Sequence, residues 1–417
     1  MQPRFFAFFP LLAGLAAAAG CGDDATLPAG CDQFVAPSDD DDTAVQEMFL
    51  ALEDGQTGCL GAGTFRFTRE LTLSADGVTI RGTSQDDTVL DFSAQDVGGS
   101  GIKISGDGVT IRDLTVQDTP GDGITAGSVQ DITYEALTVR WTAMYDTDNG
   151  AYGVYPVKAE GVVIRGVTVV GARDAGIYVG QSRNILVEDS VAHDNVAGIE
   201  IENSFDAVVR NNEAFDNTGG LLIFNLPTLE TKNGERTLAY GNDIHDNNVD
   251  NWGEPGTAVA EVPRGTGILV LSADANELRD NRIYDNDSFG IILSSYIILD
   301  PAKNFETADP QFDAYAEANY VHDNVLDGNG ANPDDLPDQL VPNLRPIPAL
   351  GWDGCEHPDH DNTTGMYTNC FENNTDGTGA PASFLFVDVC GTPPFANQNT
   401  DFGPYECSRP PIEDPNP

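Results

Sequence analysis

The stretch DAGIYVGQSRNILVEDSVAHDNVAGIEIENS, residues 174–204, decides the fold. It holds two Gly-Ile pairs, Gly176-Ile177 and Gly198-Ile199, which stand 22 residues apart. Between them ILVEDSVAHD (185–194) alternates apolar and polar residues, the two-residue period of a half-buried strand. Outward from this stretch, Gly followed by a branched aliphatic residue recurs at Gly101-Ile102, Gly123-Ile124, Gly153-Val154, Gly220-Leu221, Gly267-Ile268 and Gly290-Ile291. An alternating segment follows each time, as in VTIRDLTVQD (109–118), VVIRGVTVVG (162–171) and NELRDNRIYD (276–285). Strands this short cannot bury their own inner faces. Stacking successive turns at roughly 4.8 Å buries them together. The reading is an all-β chain, a right-handed parallel β-helix over 42–330. It predicts that Ile177, Ile199 and Leu221 stack in one interior column.

Asparagine holds two fixed phases of the repeat: Asn212, Asn242, Asn281 and Asn324 in one, Asn195, Asn217, Asn247 and Asn286 in the other. Asn tolerates the left-handed backbone of a sharp turn, and stacked amides can hydrogen-bond from turn to turn. These residues read as architecture. An open coil end exposes unpaired backbone and needs a cover. Residues 42–54 are expected to supply it as a helix capped by Asp42 or Thr43, with Val45, Phe49 and Leu52 on one face. The Asp39–Asp42 run reads as a solvated linker rather than a calcium site.

The chain begins with the marks of export. Arg4 precedes an apolar run from Phe5 to Ala19, about 15 residues and short for a membrane span. Ala18-Ala19-Gly20-Cys21 resembles a lipobox, which makes residues 1–20 a signal peptide and Cys21 the lipidated first residue of the mature chain. Residues 21–41 then form an acidic linker. The only expected membrane contact is the lipid anchor, on the periplasmic or surface side. With 67 acidic and 20 basic residues the chain carries −47, or −48 without residues 1–20, which contain Arg4 and no acid. That charge repels nucleic acid. No cofactor is signalled, and calcium is the one cation such a carboxylate-rich surface admits.

Six further cysteines, Cys31, Cys59, Cys355, Cys370, Cys390 and Cys407, suit disulfides in an exported chain. Cys31–Cys59 is the natural first bridge, and the last four allow three pairings. Residues 331–409, where the period fades and prolines and cysteines gather, read as a disulfide-stapled C-terminal cap. Residues 410–417 read as a frayed tail.

Several segments resemble a family of bacterial exported lipoproteins built from parallel β-helix repeats: DGVTIRG (76–82), NGAYGVYPV (149–157), DAGIYVGQS (174–182), AGIEIENS (197–204) and NTGGLLIFNLP (217–227). The resemblance covers roughly 42–330. It implies no established activity. It does imply a periplasmic partner, because members tend to be encoded beside an exported dihaem c-type cytochrome. The chain is more distantly similar to pectate lyases, polygalacturonases, alginate-modifying enzymes and the β-helix protein of nitrous oxide reductase maturation. Fold alone does not transfer their functions.

In a Gly-Ile-x-Val repeat the residue between the aliphatics points outward. That column reads Lys103, Thr125, Tyr155, Tyr178, Glu200, Leu222, Leu269, Ile292. Tyr155, Tyr178 and Glu200 are expected to line one exposed face and to bind a sugar polymer. Asp174 and Glu202 stand beside them, and the 145–152 insertion forms a wall. The plainer reading is that the tyrosines only stabilise a β-surface by stacking. For an enzyme, Lys158, Arg173, Tyr178 and Glu200 are the catalytic candidates, since uronate chemistry needs a cation on the carboxylate and a nearby base. No Gly-His-Gly or Asp-Pro-His signature is present. His193, His245 and His322 read as turn residues rather than bases, and Cys355-Glu356-His357-Pro358-Asp359-His360 as a disulfide loop rather than a metal site. Two function classes follow. The favoured one is an exported module that binds polysaccharide or an exported protein partner. The alternative is a carbohydrate-active enzyme, lyase or hydrolase, acting on acidic polysaccharide. An accessory role in a periplasmic redox pathway rests on the cytochrome neighbour alone.

Overall fold

The computed structural model describes residues 27–415, apart from 343 and 362–364. The signal segment and Cys21 lie outside the described residues. The central turns of the coil each contribute three short strands. One turn runs Ala175–Gly180, Arg183–Glu188, Val191–His193, and the next runs Ala197–Glu202, Phe205–Arg210, Glu213–Phe215. Equivalent strands pair in parallel, which gives a right-handed coil of about ten turns with three faces, two of them joined in one twenty-stranded sheet. We call the sheet carrying the Gly-Ile motif the first sheet; it has eleven strands, from Arg69–Leu73 to Phe384–Phe386. Corners turn through left-handed residues: Gln181, Asp189 and Asp194 take φ of 53°, 50° and 58°. This is why polar residues with short side chains punctuate the repeat.

The interior register is the expected one. Ile177 pairs with Ile199 and Ile199 with Leu221, and all three are buried. Both asparagine phases form ladders, each Nδ2 donating to the Oδ1 of the next turn at 2.9–3.1 Å. A third ladder, Asn276–Asn319–Asn369, went unread. The ladders also explain the motif glycine. A Cβ on Gly198 would lie 2.7 Å from the Gly220 carbonyl oxygen and 2.9 Å from Asn217 Nδ2.

The coil's ends differ from the expected boundaries. Gln33–Val35 pairs with Thr57–Leu60 and Cys31 is bonded to Cys59, so the coil begins inside the segment read as a linker. Helix α1 spans Asp41–Ala51 instead of 42–54, with Val45, Phe49 and Leu52 buried as expected. Neither Asp42 nor Thr43 caps it. Asp41 accepts from the backbone of Ser38 and Arg66 at 2.7 Å, and Asp42 accepts from Thr68, so these acids anchor the cover to the first turn instead of being solvated. At the other end pairing continues past 330, through Leu350–Trp352 and Cys370–Glu372 to Phe384–Phe386. Long insertions between these strands stretch the period and hide it from a fixed-spacing reading. Cys355–Cys390 and Cys370–Cys407 are the realised pairings. The tail is docked, not frayed: Ile412 N–H donates to Glu277, and Asp414 accepts from Arg210 and Tyr240. No helix among the described residues is long and apolar enough to cross a membrane.

Candidate functional site

The outward column of the first sheet is in the expected register. Thr72, Lys103, Thr125 and Tyr155 follow one another, then Tyr178, Glu200, Leu222, Leu269 and Ile292. Its exposure is not the expected one. Thr72 and Lys103 are exposed and Thr125 and Tyr155 half-buried, but Tyr178 and Glu200 are each only 4% exposed. Segments that enter the chain later cover them. Leu226 from one insertion and Trp252, Val259 and Val262 from another pack with Tyr178, Leu222 and Phe224 into a second apolar cluster outside the coil. Tyr178 and Glu200 therefore lie under a roof, and the open part of the column stops at Tyr155.

Three tyrosines meet at the roof's edge. Tyr152, expected only as part of the insertion wall, stacks on Tyr155 at 4.4 Å and leans on Tyr178 at 4.6 Å between ring centroids. Tyr178 lies back along its own strand over Gly180, where a Cβ would come within 2.2 Å of its hydroxyl. Gly180 thus makes room for the ring, and the Tyr178 hydroxyl donates to Glu202. The Tyr152 hydroxyl donates to Asp174 at 3.1 Å. Glu200, on the same strand as Glu202, has a buried Oε2 with no hydrogen-bond partner.

Burial sets the protonation of this patch. It pushes Asp174 up to about 7, against a lowering hydrogen bond from Tyr152 and with a further push from Glu202. It takes Glu202 up to about 7, against the hydrogen bond from Tyr178. It holds Glu200 well above the ordinary carboxylate range, helped by the charges of Glu202 and Asp174. Asp122, one turn before Tyr152, is raised to about 6 by burial, with Arg173 pulling the other way. Asp122 was missed by the sequence reading. Its signal was its place directly before Gly123-Ile124, close to where Asp174 stands before Gly176-Ile177.

The structure thus gathers Tyr152, Tyr155, Tyr178, Asp174, Glu200 and Glu202, with Arg173 at the rim. Lys158 is not part of that patch. It sits at a left-handed corner and pairs at 2.5 Å with Glu230 of the 225–235 insertion. Arg173 pairs with Glu254 of the roof. His193 and His245 are strand residues, not turn residues. They stack with Phe215 and Tyr284 on the third face, and the left-handed turn residues are the aspartates that follow them. His322 is likewise on a strand, between Glu277 and Asp323. In the Cys355–His360 loop, Cys355 is disulfide-bonded and His360 Nδ1 meets Glu317 at 2.5 Å. Among the described residues no group of three or more His, Cys, Asp or Glu side chains is placed to hold a metal ion.

The geometry fits known coils. No curated protein matches the chain. The A-module of mannuronan C-5 epimerase AlgE6 from Azotobacter vinelandii is similar at TM-score 0.55 and 18% identity, covering 82% of this chain and 91% of that one. The AlgE4 A-module of the same organism reaches 0.48 and 15%, covering 84% and 97%. Pectate lyase Pel9A reaches 0.45 and 13%, covering 85% and 78%. Residues 76–233 match the family described as right handed beta helix region, and the chain as a whole folds as a right-handed parallel β-helix.

Proposed function

We propose that the outer face of the first sheet, from Lys103 to the roofed tyrosine–carboxylate patch, binds a polysaccharide. The observation that carries this is the open column from Thr72 and Lys103 through Thr125, which ends on the half-buried, stacked rings of Tyr155 and Tyr152. Sugar rings offer hydroxyls for the carboxyls and an apolar face for Tyr155. The likeness to a mannuronan epimerase module is one of fold, and it puts uronate polymers first among ligands to try. Export and anchoring at Cys21 belong to the same proposal. Labelling with a palmitate analogue should mark the wild type and not Cys21→Ala.

A second reading has its own support. Carboxyls held near pH 7 beside tyrosine hydroxyls are proton donors and acceptors of the kind glycan-cleaving chemistry uses. The test is binding of the mature protein to a glycan panel, with and without calcium, with products followed in parallel. Tyr155→Ala should weaken binding tenfold or more, about 1.4 kcal/mol, at temperatures well below its melting point, which the loss of stacking on Tyr152 and Tyr178 should also lower. Binding without turnover favours the module, and unsaturated or shortened products favour the enzyme. If no glycan binds and Tyr155 crosslinks in the periplasm to an exported protein such as the cytochrome, the face is a protein interface.

A further inference from the structure

We infer that this face takes the end of an acidic glycan, with a carboxylate of the ligand on Lys103 and the terminal ring against Tyr155 and Tyr152. The inference rests on the glycan-binding reading and adds direction and charge to it.

Direction comes from the exposure gradient. From Thr72 through Lys103 and Thr125 to Tyr155 the column is open or half-open, three turn spacings or about 14 Å. At the next position it closes under Trp252, Val259 and Val262, and the outward residues beyond are Leu222, Leu269 and Ile292. A chain lying along this strip has no exit past Tyr155. Its last ring would meet Tyr155 and Tyr152, beside the half-buried carboxyls of Asp122 and Asp174, which suit hydroxyls.

Charge comes from Lys103. The chain has four lysines. Lys158, Lys232 and Lys303 are ion-paired with Glu230, Asp309 and Glu306. The Lys103 side chain is exposed and, among the described residues, its ammonium makes neither an ion pair nor a hydrogen bond. In a protein with 67 acids to 20 bases, an unpaired lysine in the open column is the one cation free to meet an anion there. It stands two turns, about 10 Å, before Tyr155. An anionic sugar therefore belongs upstream, and a hydroxyl-rich end at the acidic patch.

The test uses oligouronides cut from alginate and from pectin, dimer to octamer, with cello-oligosaccharides of matching length as the neutral series. Affinity should rise to about the trimer or tetramer and then stay flat. Fragmenting a polymer at constant mass should raise the binding in proportion to its chain ends. Lys103→Gln should weaken oligouronide binding fivefold or more. Affinity that climbs with every added residue, or neutral oligomers that bind as well, would overturn the inference while leaving the glycan-binding reading intact. If neither series nor any other glycan binds, both fall together.

Discussion

Two stacks of polar side chains run along this coil, and they are built to different rules. In the corners, asparagines repeat turn after turn, and each amide both donates and accepts. Asn247 accepts from Asn217 Nδ2 at 2.9 Å and donates to Ala214 O and to Asn286 Oδ1 at 3.0 Å each. On the outer face of the first sheet, carboxyls and tyrosines stack at the same spacing. A carboxyl has one hydrogen to donate when neutral and none when ionised, so a stack of acids cannot complete itself as the asparagines do. Glu202 and Asp174 find tyrosine hydroxyls, and one Glu200 oxygen finds nothing. A stack that completes itself is architecture.

The largest expected effect tests the first half of that contrast. Asn247→Ala removes the acceptor of the Asn217 backbone N–H and of one Asn217 Nδ2 hydrogen, one of the two donors to Asn286 Oδ1, and the side-chain donor to Ala214 O, all deep in the coil. The loss should be on the order of 3 kcal/mol, read from denaturant unfolding with the slope checked for two-state behaviour. Glu200→Gln should go the other way and leave the protein as stable or more stable at pH 8. A destabilisation there equal to that of Asn247→Ala would show that the two stacks are the same kind of object.

The pH dependence is the next largest effect. Asp174 and Glu202 titrate near 7 in the fold and near 3.8 and 4.5 when unfolded, because burial resists their charged forms. Between those values the folded chain binds more protons than the unfolded one. Stability from these groups is therefore full below about pH 4 and is lost as pH rises through 7. The charges facing the patch are those of Asp122, Arg173 and Glu200. General repulsion in a chain of −47 also falls with acidification, so the slope needs a reference. The double variant Glu200→Gln/Glu202→Gln supplies it. Its melting temperature should fall less between pH 5 and pH 8 than the wild type's, and an unchanged slope would remove the patch as the cause.

Legibility in the sequence followed the locality of the signal. The interior column and the asparagine phases repeat every turn, so spacing alone placed Ile177, Ile199 and Leu221 correctly. The site's register was equally legible, and Tyr178 does stand over Glu200. Its burial was not read, because the roof comes from segments dozens of residues later, and Gly-Ile-x-Val looks the same open or covered. A trace was present: the same outward column turns to Leu222, Leu269 and Ile292, which only a covered face tolerates in a row. The coil's last turns were hidden because inserted segments break the spacing that made the earlier turns visible.

The smallest predicted effect separates the two stacks within a single hydroxyl. Tyr178→Phe keeps the ring over Gly180 and removes only the donor to Glu202. A single hydrogen bond to a charged group is worth about 1.5–3 kcal/mol when the acceptor is ionised, and less when Glu202 is protonated. The variant should thus look nearly wild-type at pH 5 and lose stability by pH 8. The hydroxyl is also what lowers Glu202 against its burial, so its removal should move that carboxyl's titration further upward, visible in carboxyl-region infrared or NMR titration. An asparagine-ladder variant has no such pH signature, since amides do not titrate. If Tyr178→Phe destabilises equally at both pH values and leaves the titration in place, the hydroxyl is only a packing contact, and Glu202 belongs with the architecture.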